Sequence, residues 1–266
     1  MRRGLLRALA AVGLAWLVGC APHLVRPPDL SLESRSVRYR AQEAERRARA
    51  VAVSASLVVW GERSGERLPG AQADLHLAAP DRMRLRVASA FGTALDLGFA
   101  GDSLKAYVPA WRTGLRLDAA AESLGLEAPG DRLVRALSAT WEPPAEAWAR
   151  AAWRDTLLGV SWLEGGDSVA IAIGASGLPR WAELAIDQGP VLRVRYVGWD
   201  RASGTAWPSH VELVDEAHDL RLVCRATQVR FTPQADAERL TVRWPRGTAP
   251  FTLSQLRTAL GRMGIL

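Results

Sequence analysis

Asp81-Arg82-Met83-Arg84-Leu85-Arg86-Val87 alternates without a miss, with Met83, Leu85 and Val87 on one phase and three arginines on the other. A period of two is the pattern of a half-buried antiparallel strand, because successive side chains of an extended chain point to opposite faces. Past a short loop at Ala90-Phe91-Gly92 the alternation resumes, with Leu95, Leu97 and Phe99 set against Asp96, Gly98 and Ala100. Gly101-Asp102-Ser103 then turns the chain into residues 104–108. Phe91 is out of place in this pattern, since tight turns ordinarily carry Gly, Asn, Asp, Ser or Pro. An aromatic ring there either folds under the sheet or is offered to something outside.

Working outward, residues 51–62, 71–77, 82–89, 93–99, 104–108 and 113–117 read as consecutive strands separated by Gly, Pro or Asp, an antiparallel meander. Ahead of them, 34–50 reads as a helix with Val37, Ala41, Ala44 and Ala48 as its apolar stripe. Its last turn carries Arg46, Arg47 and Arg49, where cations complement the helix dipole. That cluster is read as a solvated face in preference to a lipid-headgroup site. From Asp118 the composition turns helical, at 119–125, 130–139 and 145–155, the last introduced by Pro143-Pro144.

Strands resume at 157–164, 167–173, 179–186, 191–197, 210–214 and 219–231, with a longer loop at 201–208. In the last strand the apolar phase shifts from Leu220, Leu222, Cys224 and Ala226 to Val229 and Phe231, which predicts a bulge. Residues 234–266 carry an apolar run at 240–244 and an amphipathic helix at 253–260. The expected fold is mainly β with α: a strongly curved antiparallel sheet, an incomplete barrel of about 11–12 strands, with helices covering its concave hydrophobic face.

The N-terminus adds a targeting signal. Arg2, Arg3 and Arg7 form a positive n-region, and 5–18 is an apolar region too short to span a bilayer comfortably. Leu17-Val18-Gly19-Cys20 then matches a bacterial lipobox; an ordinary secretory signal or an anchor helix is the other reading. The lipobox resemblance implies cleavage before Cys20, with diacylglycerol and an N-acyl chain on that residue and no other cofactor. Ala21, in place of the aspartate that usually retains a lipoprotein, favours the outer membrane. Residues 1–19 would be the signal peptide, 20–33 a proline-containing tether, 34–233 the domain with a helical lid insert at 118–155, and 234–266 a tail.

Losing the signal peptide lowers the formal charge of +6 by three. The basic residues are almost all arginine, dispersed beside acids on strand faces, and no nucleic-acid-binding module is recognisable. With Cys20 taken by lipid, Cys224 is left alone on an apolar phase and reads as a small core residue. His210 and His218 flank a turn near Glu212, Asp215 and Glu216, an arrangement read as a solvated hairpin in preference to a metal site. Neither a nucleophile elbow nor a phosphate loop is present, so an enzyme is not expected. Eleven tryptophans stand against four phenylalanines and three tyrosines. Indoles suit apolar sites with one wet edge as well as ordinary cores.

Two blocks resemble the lipoprotein-localisation (LolA/LolB-like) family, especially its outer-membrane receptor branch. One is Asp81 to Val87 with Phe91-Gly92-Thr93 and Leu95-Asp96-Leu97. The other is Leu192-Arg193-Val194-Arg195-Tyr196-Val197-Gly198-Trp199-Asp200, followed by Trp207-Pro208-Ser209 and Val211-Glu212-Leu213. The resemblance implies a half-barrel whose hydrophobic cavity holds lipoprotein acyl chains. On that reading Met83, Leu85, Val87, Leu95, Leu97, Phe99, Leu192, Val194 and Tyr196 line the cavity, and Phe91 with Gly92 forms a membrane-insertion loop. The implied partners are acylated lipoproteins and a soluble periplasmic carrier, for a monomer on the periplasmic side of the outer membrane. A lipid- or peptide-binding sensor or scaffold lipoprotein of the same fold is the alternative.

Overall fold

The computed structural model describes residues 31–63, 65–67, 69–118, 129–185, 191–215 and 219–250, together with Thr252 and Gln255. The signal peptide expected at 1–19, Cys20, the helix expected at 119–125 and most of that expected at 253–260 lie outside the described residues. The chain begins with α1 (Leu32–Arg49), whose N-cap Ser31 accepts a hydrogen bond from the Ser34 amide. There follow β1 (Val53–Arg63), β2 (Glu66–Arg67), β3 (Ala71–Ala78), β4 (Arg82–Ser89), β5 (Gly92–Ala100), β6 (Ser103–Val108), a 3-10 turn (Pro109–Trp111) and β7 (Thr113–Asp118). Helices α2 (Pro129–Ser138) and α3 (Ala145–Ala149) interrupt the strands. The second series comprises β8 (Ala152–Arg154), β9 (Leu157–Glu164), β10 (Asp167–Ile173), β11 (Pro179–Ala185), β12 (Val191–Ala202), β13 (Thr205–Asp215) and β14 (Leu220–Phe231). Helix α4 (Ala237–Leu240) and β15 (Ala249–Pro250) close it.

All the strands belong to one open, curved sheet in the order β15-β7-β6-β5-β4-β3-β1-β14-β13-β12-β11-β10-β9-β8, with β2 paired beside β1. Neighbours pair antiparallel except β15, which lies parallel to β7, so the sheet is mixed at that edge only. The incomplete-barrel architecture expected from the alternation is the one observed. Strand β1 sits in the middle, with Val53 opposite both Leu77 of β3 and Phe231 of β14. The expected bulge is there too: opposite β1 the register slips so that Ser56 faces Gln228 while Leu57 faces Ala226.

Register places the apolar phases of successive strands on one face. Met83 pairs with Leu77 and Phe99, Leu85 with Leu75 and Leu97, and Val87 with Ala73 and Leu95. Across the seam Val59 faces Cys224, which faces Val211, which faces Tyr196. Cys224 is buried there, and burial pushes its thiol up to about 12. Since the thiolate is the reactive form, iodoacetamide at neutral pH should leave Cys224 unmodified in the native protein and alkylate it in guanidinium, as peptide mass mapping would show.

Three local expectations need correction. The stripe Val37, Ala41, Ala44 and Ala48 faces solvent, and α1 instead buries Arg35, Ser36, Tyr39, Glu43 and Arg46. The reason lies beneath the helix, where loop and strand-end carbonyls need donors. Arg35 donates to the carbonyl of Thr156 (2.6 Å), Arg46 to that of Ala139 (3.2 Å) and Tyr39 to that of Trp141. The helix expected over 145–155 stops at Ala149, because Trp153 is drawn into β8 opposite Leu158. The loop expected at 201–208 is mostly strand: β12 and β13 continue to a tight turn between Ala202 and Thr205, past register shifts around Gly198.

The apolar run of the tail, at 240–244, finds its place on the sheet. It packs on the convex face, where two glycines receive it. A Cβ on Gly98 would stand 2.8 Å from the Val242 side chain, and one on Gly114 would stand 2.6 Å from the Trp244 ring. Arg84, held by Asp96 through two hydrogen bonds of 2.7 and 2.6 Å, also donates to the carbonyls of Glu238 and Arg239.

Candidate functional site

The concave face is the one large apolar surface on which strands and helices converge. Its main core runs from β3 across the seam to β9 and includes Val134, Leu137, Trp141 and Ala147 from the helical insert, with Tyr39 from α1. A second, smaller core is formed by Ala106, Leu115 and Leu117, with Leu95, Leu97 and Leu104 packed against it.

Helix α2 bridges the face. Gly130 lies so close to the β3–β4 turn that a Cβ would meet the Asp81 carbonyl oxygen at 2.4 Å. At the other side Arg132 pairs with Asp167, and Arg135 with Glu164 at 2.7 Å. The segment after α2 is tied down from within: Tyr196 Oη donates to the Ala136 carbonyl (2.9 Å) and accepts from Trp141 Nε1 (2.7 Å). Burial raises the pKa of both Tyr196 and Tyr39, so both stay neutral donors.

The nine residues expected to line a cavity all fall on the concave phase, but they are not equivalent. Met83, Val194 and Tyr196 are at most 4% exposed and belong to the packed core beneath the helices. They do not line an accessible surface, because α2 and the segment carrying Trp141 cover them. Leu85, Val87, Phe99 and Leu192 are partly exposed beside the main core, and Leu95 and Leu97 beside the second. Leu213 and Leu222, which are not among the nine, join this partly exposed set. Their register opposite Val194 and Gly61 is the signal that identifies them.

Phe91 stands at the tip of the β4–β5 hairpin with its side chain fully in solvent. The turn is closed by Ser89, whose Oγ accepts from the Phe91 amide (3.3 Å) and donates to the Gly92 carbonyl (3.1 Å). Gly92 has φ of +114°, a backbone state that favours glycine. Trp111, 38% exposed, sits on the β6–β7 connection at the same end of the sheet, two strands away.

Polar groups under α1 form a second feature. Arg46 is fully buried, and burial pushes its pKa down against the pull of Tyr39 and Glu43. Its guanidinium lies over the Trp199 ring, 5.2 Å from Cζ to the ring centre. Glu43, 4% exposed, has its pKa raised by burial, opposed by Arg47. For an acid raised on folding, the folded state binds the extra proton, so stability falls as pH rises from the ordinary carboxylate range through the raised value. Glu43→Gln is therefore expected to melt above the wild type at neutral pH, with the gap closing as pH falls from the raised value toward 4.5. Thermal melts across a pH series would check this.

Glu212 points to the convex face, where Arg221 donates to it at 2.5 Å and Arg195 lies 3.4 Å away, so the His210–Glu212 pair is part of a salt cluster. His218 lies outside the described residues. Among those described, no group of His, Cys, Asp and Glu is arranged to hold a metal, and no helix is long and apolar enough to cross a membrane.

No family model and no curated protein matches this chain. Solved structures do. A LolA superfamily protein from Nitrosomonas europaea is 12% identical over 80% of this chain and 98% of its own, with a TM-score of 0.52. A DUF1329 family protein from Desulfovibrio piger is 10% identical over 77% of this chain and 98% of its own, with a TM-score of 0.50. At such identities the likeness establishes the fold: the chain has a LolA-like architecture.

Proposed function

We propose that this protein is a non-enzymatic envelope lipoprotein, anchored in the outer membrane through acylated Cys20, that takes up lipoprotein acyl chains on its concave face and helps insert them into the membrane. One observation carries the reading: an apolar face shared by successive strands whose covering helices leave Leu85, Val87, Leu95, Leu97, Leu192, Leu213 and Leu222 partly exposed. A surface of that kind can shield acyl chains from water yet hold them less firmly than a bilayer, so transfer to the membrane runs downhill. Phe91 lies at the end of the sheet where Val87 and Leu95 sit, and moving its ring into lipid is worth about 2 kcal/mol. Delivery to such a face would come from a soluble periplasmic carrier.

The test is to mix the purified protein with one lipoprotein in acylated and acyl-free forms and follow comigration by gel filtration. Comigration of the acylated form alone is expected. Binding of neither form by a folded protein, or of both equally, would sink the acyl-chain role. Equal binding of both would favour the alternative of a peptide-binding sensor or scaffold, for which the segment over Gly98 and Gly114 offers a second face.

A further inference from the structure

Arg46 carries more hydrogen-bonding capacity than its structural task uses. Its Nε donates to the Ala139 carbonyl, at a residue in the left-handed conformation (φ +55°) that ends α2. That bond explains one donor of the guanidinium. Both terminal nitrogens, Nη1 and Nη2, are buried with no acceptor, and so is Nε1 of Trp199, the indole beneath them. Of the nearby carboxylates, Glu45 Oε1 accepts from Thr205 Oγ1 (2.7 Å), and Glu43, whose Oε1 is buried without a hydrogen-bond partner, has Arg47 at 3.7 Å. Among the described residues, no carboxylate lies within ion-pair distance of Arg46.

An unpaired buried donor is costly to folding, and more so when it is charged. A packing role alone would be met at lower cost by methionine or leucine, which lack the donors. Three donor nitrogens from two side chains in contact describe a place for an acceptor, and the planar fork of a guanidinium matches the two oxygens of a carboxylate or phosphate. The Tyr196 ring lies 5.6 Å from Trp199, and Trp199 is itself partly exposed at the border of the main core. The donors therefore lie at the border of the main core, beneath α1.

We propose that Arg46 and Trp199 form a headgroup site for a carboxylate or phosphate at the end of an acyl chain, so that the concave face prefers anionic single-chain lipids. The proposal rests on the acyl-binding reading above and adds to it a second ligand class, free anionic lipids beside the ester- and amide-linked chains of lipoproteins. Equilibrium dialysis of the full-length protein against radiolabelled hexadecanoate, hexadecyl phosphate and hexadecanol, all below their micelle concentrations, separates head from chain. Both anions should be held about tenfold more tightly than the alcohol or better. Arg46→Gln should bring them down to the alcohol's level without changing the alcohol. Arg46→Lys should keep part of the preference, as charge without the fork.

Equal binding of all three ligands would overturn the headgroup site and leave the acyl face standing. Binding of none would remove both. Inorganic phosphate competing as well as hexadecyl phosphate would replace a lipid site with a free-anion site and so overturn the proposal. Should Arg46→Gln fail to fold, Trp199→Phe decides: it keeps the ring, removes the N–H, and should weaken the anions alone.

Discussion

Trp141→Ala should cost about 3–5 kcal/mol of folding stability, the range for emptying a buried aromatic site. The side chain is 2% exposed and ranks among the largest fully enclosed groups in the molecule. Its indole donates to Tyr196, whose hydroxyl passes the bond on to Ala136, and its backbone carbonyl receives Tyr39 from α1. One residue thus joins α1, the segment after α2 and the centre of β12. Against the 5–15 kcal/mol total of a typical domain, the loss is a large fraction. Denaturant melts would read it as a lower midpoint. Trp141→Phe, which preserves most of the volume but removes the N–H, should cost about 1–3 kcal/mol, the penalty of an unpaired partner. A wild-type midpoint in the alanine variant would mean that the helical insert is not held to the sheet at this point.

Phe91→Glu should abolish or strongly impair insertion of lipoproteins into vesicles while leaving the melting midpoint unchanged. The ring makes no buried contact to lose, so the folded state has no stake in it. A carboxylate at the tip would have to enter the headgroup region against its hydration, whereas the ring gains by entering it. Acyl-chain binding in solution should survive, because the concave face is untouched. Transfer from the preformed complex to liposomes, followed by flotation, measures the step directly. Unchanged transfer by the well-folded variant would remove the hairpin from the delivery mechanism. Trp111, at the neighbouring tip, would then be the aromatic to test.

Much of this architecture is legible in the sequence because strand alternation is a local signal. The phase of Met83, Leu85 and Val87 names the concave face by itself, and the phase slip after Ala226 locates the bulge of β14. The position of Phe91 follows from the two strands on either side. What the sequence hides is set by partners distant along the chain. The inward face of α1 is polar because the carbonyls of Ala139, Trp141 and Thr156 lie beneath it, and periodicity of apolar residues therefore selects the opposite face. Gly98 and Gly114 look like strand weaknesses until Val242 and Trp244 are seen to fill the space of a missing Cβ. Strand β8 is three residues long, too short for a period to register. Among the site residues, Met83, Val194 and Tyr196 share the phase of their neighbours, and only the covering segments distinguish core from accessible lining.

The place of β1 at the centre of the sheet has a consequence for how the molecule is made. Its partner β3 follows within a few residues, whereas β14, its other partner, is the last long strand of the chain. The two meanders on either side are built from neighbours in sequence, so the entropy of closing a long loop falls chiefly on this one pairing. As the chain emerges from the ribosome, the first meander is complete long before residues 220–231 exist, and β1 meanwhile presents a bare edge of the kind that recruits stray strands. A chain truncated within β14 would not lose a border strand. It would part in the middle, leaving two half-sheets joined only through the helices that bridge the concave face.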